Sequence, residues 1–126
     1  MSAVQDGKQY IIMNVGTSTV FDLAKGDPSN GTLIQGWELL VKEYNENTDH
    51  QVWYAHFQFH DTIGDWYSFT NRGTGTAIDS GGLVNENKQL HAWVDQGKGN
   101  ENQQWLLSPI AQAGVKLYQS NGTRLT

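Results

Sequence analysis

Trp37 lies 15 residues beyond Asp22, and Trp93 lies 14 residues beyond Asp79. Each of these pairs is followed by a Gln-x-Trp triplet, Gln51-Val52-Trp53 in the first case and Gln103-Gln104-Trp105 in the second. An indole presents a flat apolar face, a carboxylate accepts two adjacent hydroxyls with charge assistance, and an amide both donates and accepts. Set together, as Asp22 and Gln51 beside Trp37, or Asp79 and Asn102 beside Trp93, they fit a neutral ring with one C–H face and several hydroxyls, such as a pyranose. A hydroxyl missing from the wrong ring would leave a polar partner unpaired, at about 1–3 kcal/mol, and selectivity would arise there. One shallow site of this kind binds weakly, whereas two on one chain raise avidity for clustered ligands. Two structural readings stand beside this one: Asp22 and Asp79 as turn caps, and Trp37 and Trp93 as interior aromatics.

The elements that must position these residues come as a repeat. Trp53 and Trp105 are 52 residues apart, and the same order of features precedes each. That order is an aromatic-led strand, a Gly-Thr turn, a short strand ending in Asp, a Gly-rich loop, and a strand carrying a further Trp. One such unit cannot bury its own apolar face, so the units must pack on one another. Approximate repeats are 7–53, 54–105 and a shortened 106–126, within one domain spanning 1–126.

In the first unit the apolar run Tyr10 to Val15 predicts a strand. The turn Gly16-Thr17-Ser18-Thr19 leads into Val20-Phe21-Asp22-Leu23, and a turn-rich segment over Lys25 to Gly31 precedes a strand at Thr32 to Trp37. Lys42 to Asp49 is polar and reads as loop. Gln51 to Phe59 alternates, with Val52, Tyr54, His56 and Gln58 on one side and Trp53, Ala55, Phe57 and Phe59 on the other, predicting a strand with its Trp/Phe face buried. The second unit offers strands at Asp65 to Asn71, Thr76 to Asp79, Leu90 to Val94 and Gln103 to Leu107, with loops from Ser80 to Lys88 and from Asp95 to Asn102. A third begins with a strand at Gly114 to Ser120, a turn at Asn121-Gly122-Thr123, and Arg124-Leu125-Thr126. Helical periodicity is sustained nowhere, so the class is all-β.

Composition narrows the function. The chain has 126 residues, no cysteine, 14 glycines, five tryptophans and a net charge of −5. Without cysteine there is neither a disulfide framework nor a thiolate metal site, which suits a reducing compartment. The polar start, Met1 to Gly7, lacks the basic and apolar blocks of a secretory signal, so a cytoplasmic location is expected. No apolar run approaches the ~20 residues of a membrane span, and eight scattered basic residues form no stripe for nucleic acid. Asn30-Gly31-Thr32 and Asn121-Gly122-Thr123 match the glycosylation sequon and read as Asn-Gly turns. Neither a poised nucleophile nor a Gly-x-Ser-x-Gly elbow is present. His56 and His60 would lie ~13 Å apart on a strand, too far to share one ion. Neither catalysis, nor a metal, nor any cofactor is therefore expected.

With both Gln-x-Trp triplets, both strand-end aspartates and both mid-repeat tryptophans in register, the chain from Tyr10 to Thr126 resembles the ricin-B-type lectins, and in style the small cysteine-free cytosolic members found in fungi. The resemblance implies a β-trefoil, three four-strand units about a pseudo-threefold axis, and a protein that binds glycans or glycoconjugates without altering them. It implies that Trp53 and Trp105 enter the core while the Gln of each triplet holds the preceding loop. Carried over by position, the sugar-binding residues are Asp22, Gln35, Trp37, His50 and Gln51 in the first unit and Asp79, His91, Trp93, Asn102 and Gln103 in the second. His50 stands where the second unit has Asn102, a departure from the family pattern. The third unit has Thr126 at the aspartate position, so no third site follows. Defence against animals that feed on the producer is the role the resemblance implies.

A trefoil that binds protein, as fungal trefoil protease inhibitors do through exposed loops, is the alternative. About 30 further residues with two more strands would be needed for a third full unit. A truncated chain, a partner chain supplying the strands, and self-assembly into a homo-oligomer are the three ways to meet that need.

Overall fold

The computed structural model of the chain describes residues 4–40, 46–82, 89–109 and 115–119. Among them nine strands form: β1 (Gln9–Tyr10), β2 (Val20–Leu23), β3 (Ile34–Trp37), β4 (Trp53–His60), β5 (Asp65–Asn71), β6 (Ala77–Asp79), β7 (His91–Trp93), β8 (Trp105–Pro109) and β9 (Val115–Gln119). Short 3-10 turns at Ala24–Gly26, Glu46–Gln51 and Glu101–Gln103 punctuate them.

An antiparallel ladder runs β1-β4-β5-β8-β9, and two hairpins, β2/β3 and β6/β7, stand beside it. Each of the first two units thus supplies a ladder strand, a hairpin and a second ladder strand, and β9 opens the third. That is the order of strands the repeats predict, and the trefoil plan the resemblance to the ricin-B-type lectins implies. The hairpins also bond to each other: Ile34 N–H donates to Leu90 O at 3.0 Å, and Ala92 N–H to Thr32 O at 2.8 Å.

The core is built from both units. Trp53 and Trp105 are fully buried with Leu23, Ile34, Ala55, Tyr67, Phe69, Ile78 and Ala92. Each indole N–H finds an equivalent acceptor, Phe21 O at 3.1 Å for Trp53 and Ile78 O at 3.0 Å for Trp105. Burying one such side chain removes roughly 150–250 Å² from water, worth about 4–6 kcal/mol of transfer free energy. The triplet tryptophans therefore tie each hairpin to the ladder strand that closes its unit.

The turn entering each hairpin is duplicated in detail. Asn14 N–H donates to Thr19 O and Asn71 N–H to Thr76 O, both at 2.8 Å, and the two Asn side chains accept from Gly16 N and Gly73 N. In both turns a pair of threonine hydroxyls meets at 2.7 Å, Thr17 with Thr19 and Thr74 with Thr76.

Two strand expectations are corrected. Of the Tyr10 to Val15 run only Gln9–Tyr10 is strand, and Met13 adds one isolated bridge to Val20. Asn14 folds the chain back on itself, which leaves Ile11, Met13 and Val15 exposed. In β4 the alternation holds from Trp53 to His56 and then inverts. A bulge between Phe57 and Phe59 turns Gln58 inward, where its amide meets Ser68 Oγ at 3.2 Å and its carbonyl accepts from Gln104 at 3.3 Å. Phe57 and Phe59 consequently face out, Phe59 stacked on Trp66 with centroids 5.8 Å apart. One extra residue in a strand reverses every following side chain. Of the polar loop over Lys42 to Asp49, the part from Glu46 is 3-10 turn and residues 42–45 lie outside the described residues. Most of the Ser80 to Lys88 loop, the Asn121-Gly122-Thr123 turn and Arg124 to Thr126 also lie outside them.

Candidate functional site

Hairpin register places the candidate residues. In the first hairpin Asp22 pairs with Gln35 and Val20 with Trp37, and in the second Asp79 pairs with His91 and Ala77 with Trp93. The 15-against-14 spacing is therefore absorbed in the connecting loop, and the two strand frames superimpose residue for residue. Each tryptophan sits one pleat along from its aspartate on the partner strand, so both side chains project from the same face of the hairpin.

The aspartates are buried, at 2% and 4% exposure, and the tryptophans are not: Trp37 is 48% exposed and Trp93 37%. The reading that put these two indoles in the interior is thereby set aside. A carboxylate taken out of water needs donors, and Gln51 and Gln103 supply them identically. Gln51 Nε2 donates to Asp22 Oδ2 at 2.9 Å and to Glu38 O at 2.9 Å, while its Oε1 accepts from Leu40 N at 3.2 Å. Gln103 Nε2 donates to Asp79 Oδ2 at 3.0 Å and to Val94 O at 3.0 Å, while its Oε1 accepts from Gln96 N at 3.1 Å. Both glutamines are 0% exposed. They lie beneath the carboxylates and fasten the loop that precedes each core tryptophan, so their part in the site is to position the aspartates.

Around the carboxylates the two sites differ. Asp22 Oδ1 accepts from Gln35 Nε2 at 3.1 Å, and His50 Nε2 lies 3.3 Å from Oδ2. Asp79 Oδ1 accepts from Gly81 N–H at 2.7 Å, and His91 Nε2 stands 3.6 Å away, past hydrogen-bond length. His91 meets Trp93 edge-on, with centroids 6.1 Å apart and planes at 76°. Asn102 is half-buried beside Gly82, its backbone O accepting from Ser80 N at 3.0 Å. All ten candidate residues thus fall into two clusters of five, one per hairpin.

Three contributors escape the sequence reading. Gly81, at φ +75°, gives its N–H to Asp79, and a Cβ there would stand 2.8 Å from His91 Cε1, so a side chain would displace the imidazole. Asn71, buried in the second unit's turn, donates to His50 O at 3.1 Å and so pins the loop of the first site. Arg72 Nε follows it with a 3.1 Å contact to Asp49 Oδ1. The repeated Asn-x-Gly-Thr of residues 14–17 and 71–74 is the signal that points to Asn71. His56 and His60, the pair weighed for a metal, bond separately to Thr70 Oγ1 and Asp65 Oδ1, each at 2.7 Å.

No protein-family model matches the sequence. No curated protein matches it either. Solved structures do. The designed threefold-symmetric protein ThreeFoil is similar with a TM-score of 0.72 at 17% identity, over 91% of this chain and 74% of that one. The Rhizoctonia solani agglutinin gives 0.69 at 18%, over 98% of this chain and 75% of that one. The C-half of the earthworm R-type lectin, solved in complex with GalNAc, gives 0.58 at 19%, over 92% and 72%. Ladder, paired hairpins and these likenesses agree, and the fold of this chain is a β-trefoil.

Proposed function

We propose that the chain is a carbohydrate-binding lectin of the ricin-B type, holding glycans at the two hairpin sites without altering them. The observation that carries this is the pairing, twice over, of a half-exposed indole with a buried carboxylate one pleat away and locked by a glutamine. A solvent-facing tryptophan loses apolar burial that a C–H face of a sugar would restore, and a carboxylate already oriented needs no reorganisation to accept hydroxyls. Trp37 and Trp93 are the platforms, Asp22 and Asp79 the hydroxyl acceptors, Gln35, His50, His91 and Asn102 the flanking polar groups, and Gln51 and Gln103 the supports. The agglutinin and lectin structures similar in fold favour the same ligand class.

A glycan array paired with papain and trypsin inhibition assays is the test. Glycan binding by the native chain is expected, with loss in the Trp37→Ala/Trp93→Ala double variant, unchanged stability and no protease inhibition. Because both indoles are half-exposed, their removal leaves the core intact, and the loss reads the site itself. An empty array with clear inhibition would instead identify a protein-binding trefoil. Hydrolysis of a bound oligosaccharide would refute the non-catalytic assignment.

A further inference from the structure

The two sites share a frame, yet their carboxylates are occupied differently. A carboxylate offers about four acceptor positions. At Asp22 three side-chain nitrogens already converge, from Gln35 at 3.1 Å, Gln51 at 2.9 Å and His50 at 3.3 Å. At Asp79 two hydrogen bonds are made among the described residues, from Gly81 N–H at 2.7 Å and Gln103 at 3.0 Å, and His91 Nε2 stands 3.6 Å away. Each carboxylate thus accepts two hydrogen bonds among the described residues, and what separates them is the imidazole, 3.3 Å from Asp22 and 3.6 Å from Asp79.

The residue in front of the Gln-x-Trp triplet accentuates the difference. His50 is held from two directions: its Nε2 stands 3.3 Å from Asp22 Oδ2, and its backbone O accepts from Asn71. Its Nε2 thus faces inward, toward the carboxylate. Asn102, at the same place in the second unit, has its backbone fixed by Asn100 and Ser80, while its side-chain amide makes no hydrogen bond among the described residues. Among the described residues that amide keeps both its donors and its acceptor, next to Gly82.

Resting on the lectin reading above, we propose that the second unit holds the principal sugar site and that His50 caps the carboxylate of the first. A sugar entering the first site must compete with the His50 imidazole, which stands 3.3 Å from Asp22 Oδ2. A sugar entering the second finds His91 farther off, at 3.6 Å from Asp79 Oδ1. A ligand that makes one hydrogen bond fewer at Asp22 for that reason binds there about tenfold more weakly.

The test follows the indole N–H resonances of Trp37 and Trp93, assigned with Trp37→Phe and Trp93→Phe, while N-acetylgalactosamine is titrated and then the sugar giving the strongest array signal. Trp93 is expected to reach its midpoint at a sugar concentration about tenfold below that of Trp37. His50→Asn, which places in the first site the residue found in the second, is expected to lower the Trp37 midpoint severalfold and leave that of Trp93 alone. The buried indole resonances of Trp53 and Trp105 report whether each variant keeps its fold. Coincident midpoints, a Trp37 midpoint below that of Trp93, or a Trp37 midpoint indifferent to His50→Asn in a folded protein would overturn the ranking while leaving the lectin reading intact. No shift of either indole with any sugar would overturn both.

Discussion

The first and second units place five residues each in corresponding positions, and they agree in the exposed tryptophan and below the surface but not at the polar rim. Glutamine, aspartate and core tryptophan repeat with hydrogen bonds equal to within 0.1 Å, from Gln51 or Gln103 to the carboxylate and from Trp53 or Trp105 to the hairpin backbone. The rim does not repeat: Gln35 faces His91 in the comparison, and His50 faces Asn102. Buried groups are constrained by each other, since a donor removed from a desolvated carboxylate costs its full pairing, whereas a rim residue answers to water or ligand alone. Affinity and specificity can thus diverge between units while the frame stays common.

The largest effect tests that common frame. Gln51→Leu and Gln103→Leu each remove the buried donor to an aspartate and orphan two backbone groups, and each is expected to cost about 2–3 kcal/mol in denaturant unfolding. The two costs should be nearly equal. A difference between them beyond about 1 kcal/mol would show that the frames are not equivalent. Leucine is close in volume to glutamine, so the loss reads hydrogen bonding more than packing.

A middle-sized effect tests how the units lean on one another. Asn71 in the second unit holds the first site's loop through His50 O, while its counterpart Asn14 only closes its own turn, through Gly16 N and Thr17 N, and is exposed. Asn71→Ala is expected to cost about 1–2 kcal/mol and Asn14→Ala about 0.5 kcal/mol or less. Amide hydrogen exchange should rise from Asp49 to Val52 in the first variant and remain unchanged there in the second. Equal costs would mean that the link between units carries no stability.

How much of this is legible in the sequence depends on how far each contact reaches. The all-β class, the repeat and the positions of Trp37 and Trp93 follow from order and spacing, because hairpin strands pair with their neighbours and period two fixes the face. The trefoil itself comes from the resemblance that the Gln-x-Trp triplets carry. The slip of one residue between the units does no harm, since it falls in a loop. Alternation alone places Phe57 and Phe59 inside, because the bulge at Gln58 leaves no mark of its own in an alternating pattern. The support given by Asn71 to His50 spans 21 residues and two units. Only the duplicated Asn-x-Gly-Thr turn hints at it, and the hint names the residue without its partner. The contact of His50 with Asp22 is of the same kind, invisible until the loop and the hairpin are brought together.

The smallest effect concerns a carboxylate at the edge of the first site. Asp27 opens the turn between β2 and β3, and hydrogen bonds from Ser29, first its backbone N–H at 2.9 Å, hold the Asp27 carboxyl below its ordinary value of 3.8. A carboxyl whose pKa is lowered by folding contributes stability above the unfolded value, and that contribution fades as pH falls through the folded one. Full exposure keeps the contribution small. The same turn nonetheless touches the second unit, for Asn30 Oδ1 accepts from Val94 N at 2.7 Å and Gly31 N–H donates to Ala92 O at 2.8 Å, on either side of Trp93. A carbon-detected titration from about pH 6 to about pH 2 should give Asp27 a midpoint below 3.8, and the Val94 amide should shift along the same curve. In Asp27→Asn that component of the Val94 shift should vanish. A midpoint at or above 3.8 would remove Ser29 as the cause, and a Val94 amide blind to Asp27 would show that the first unit's turn and the second unit's platform do not communicate.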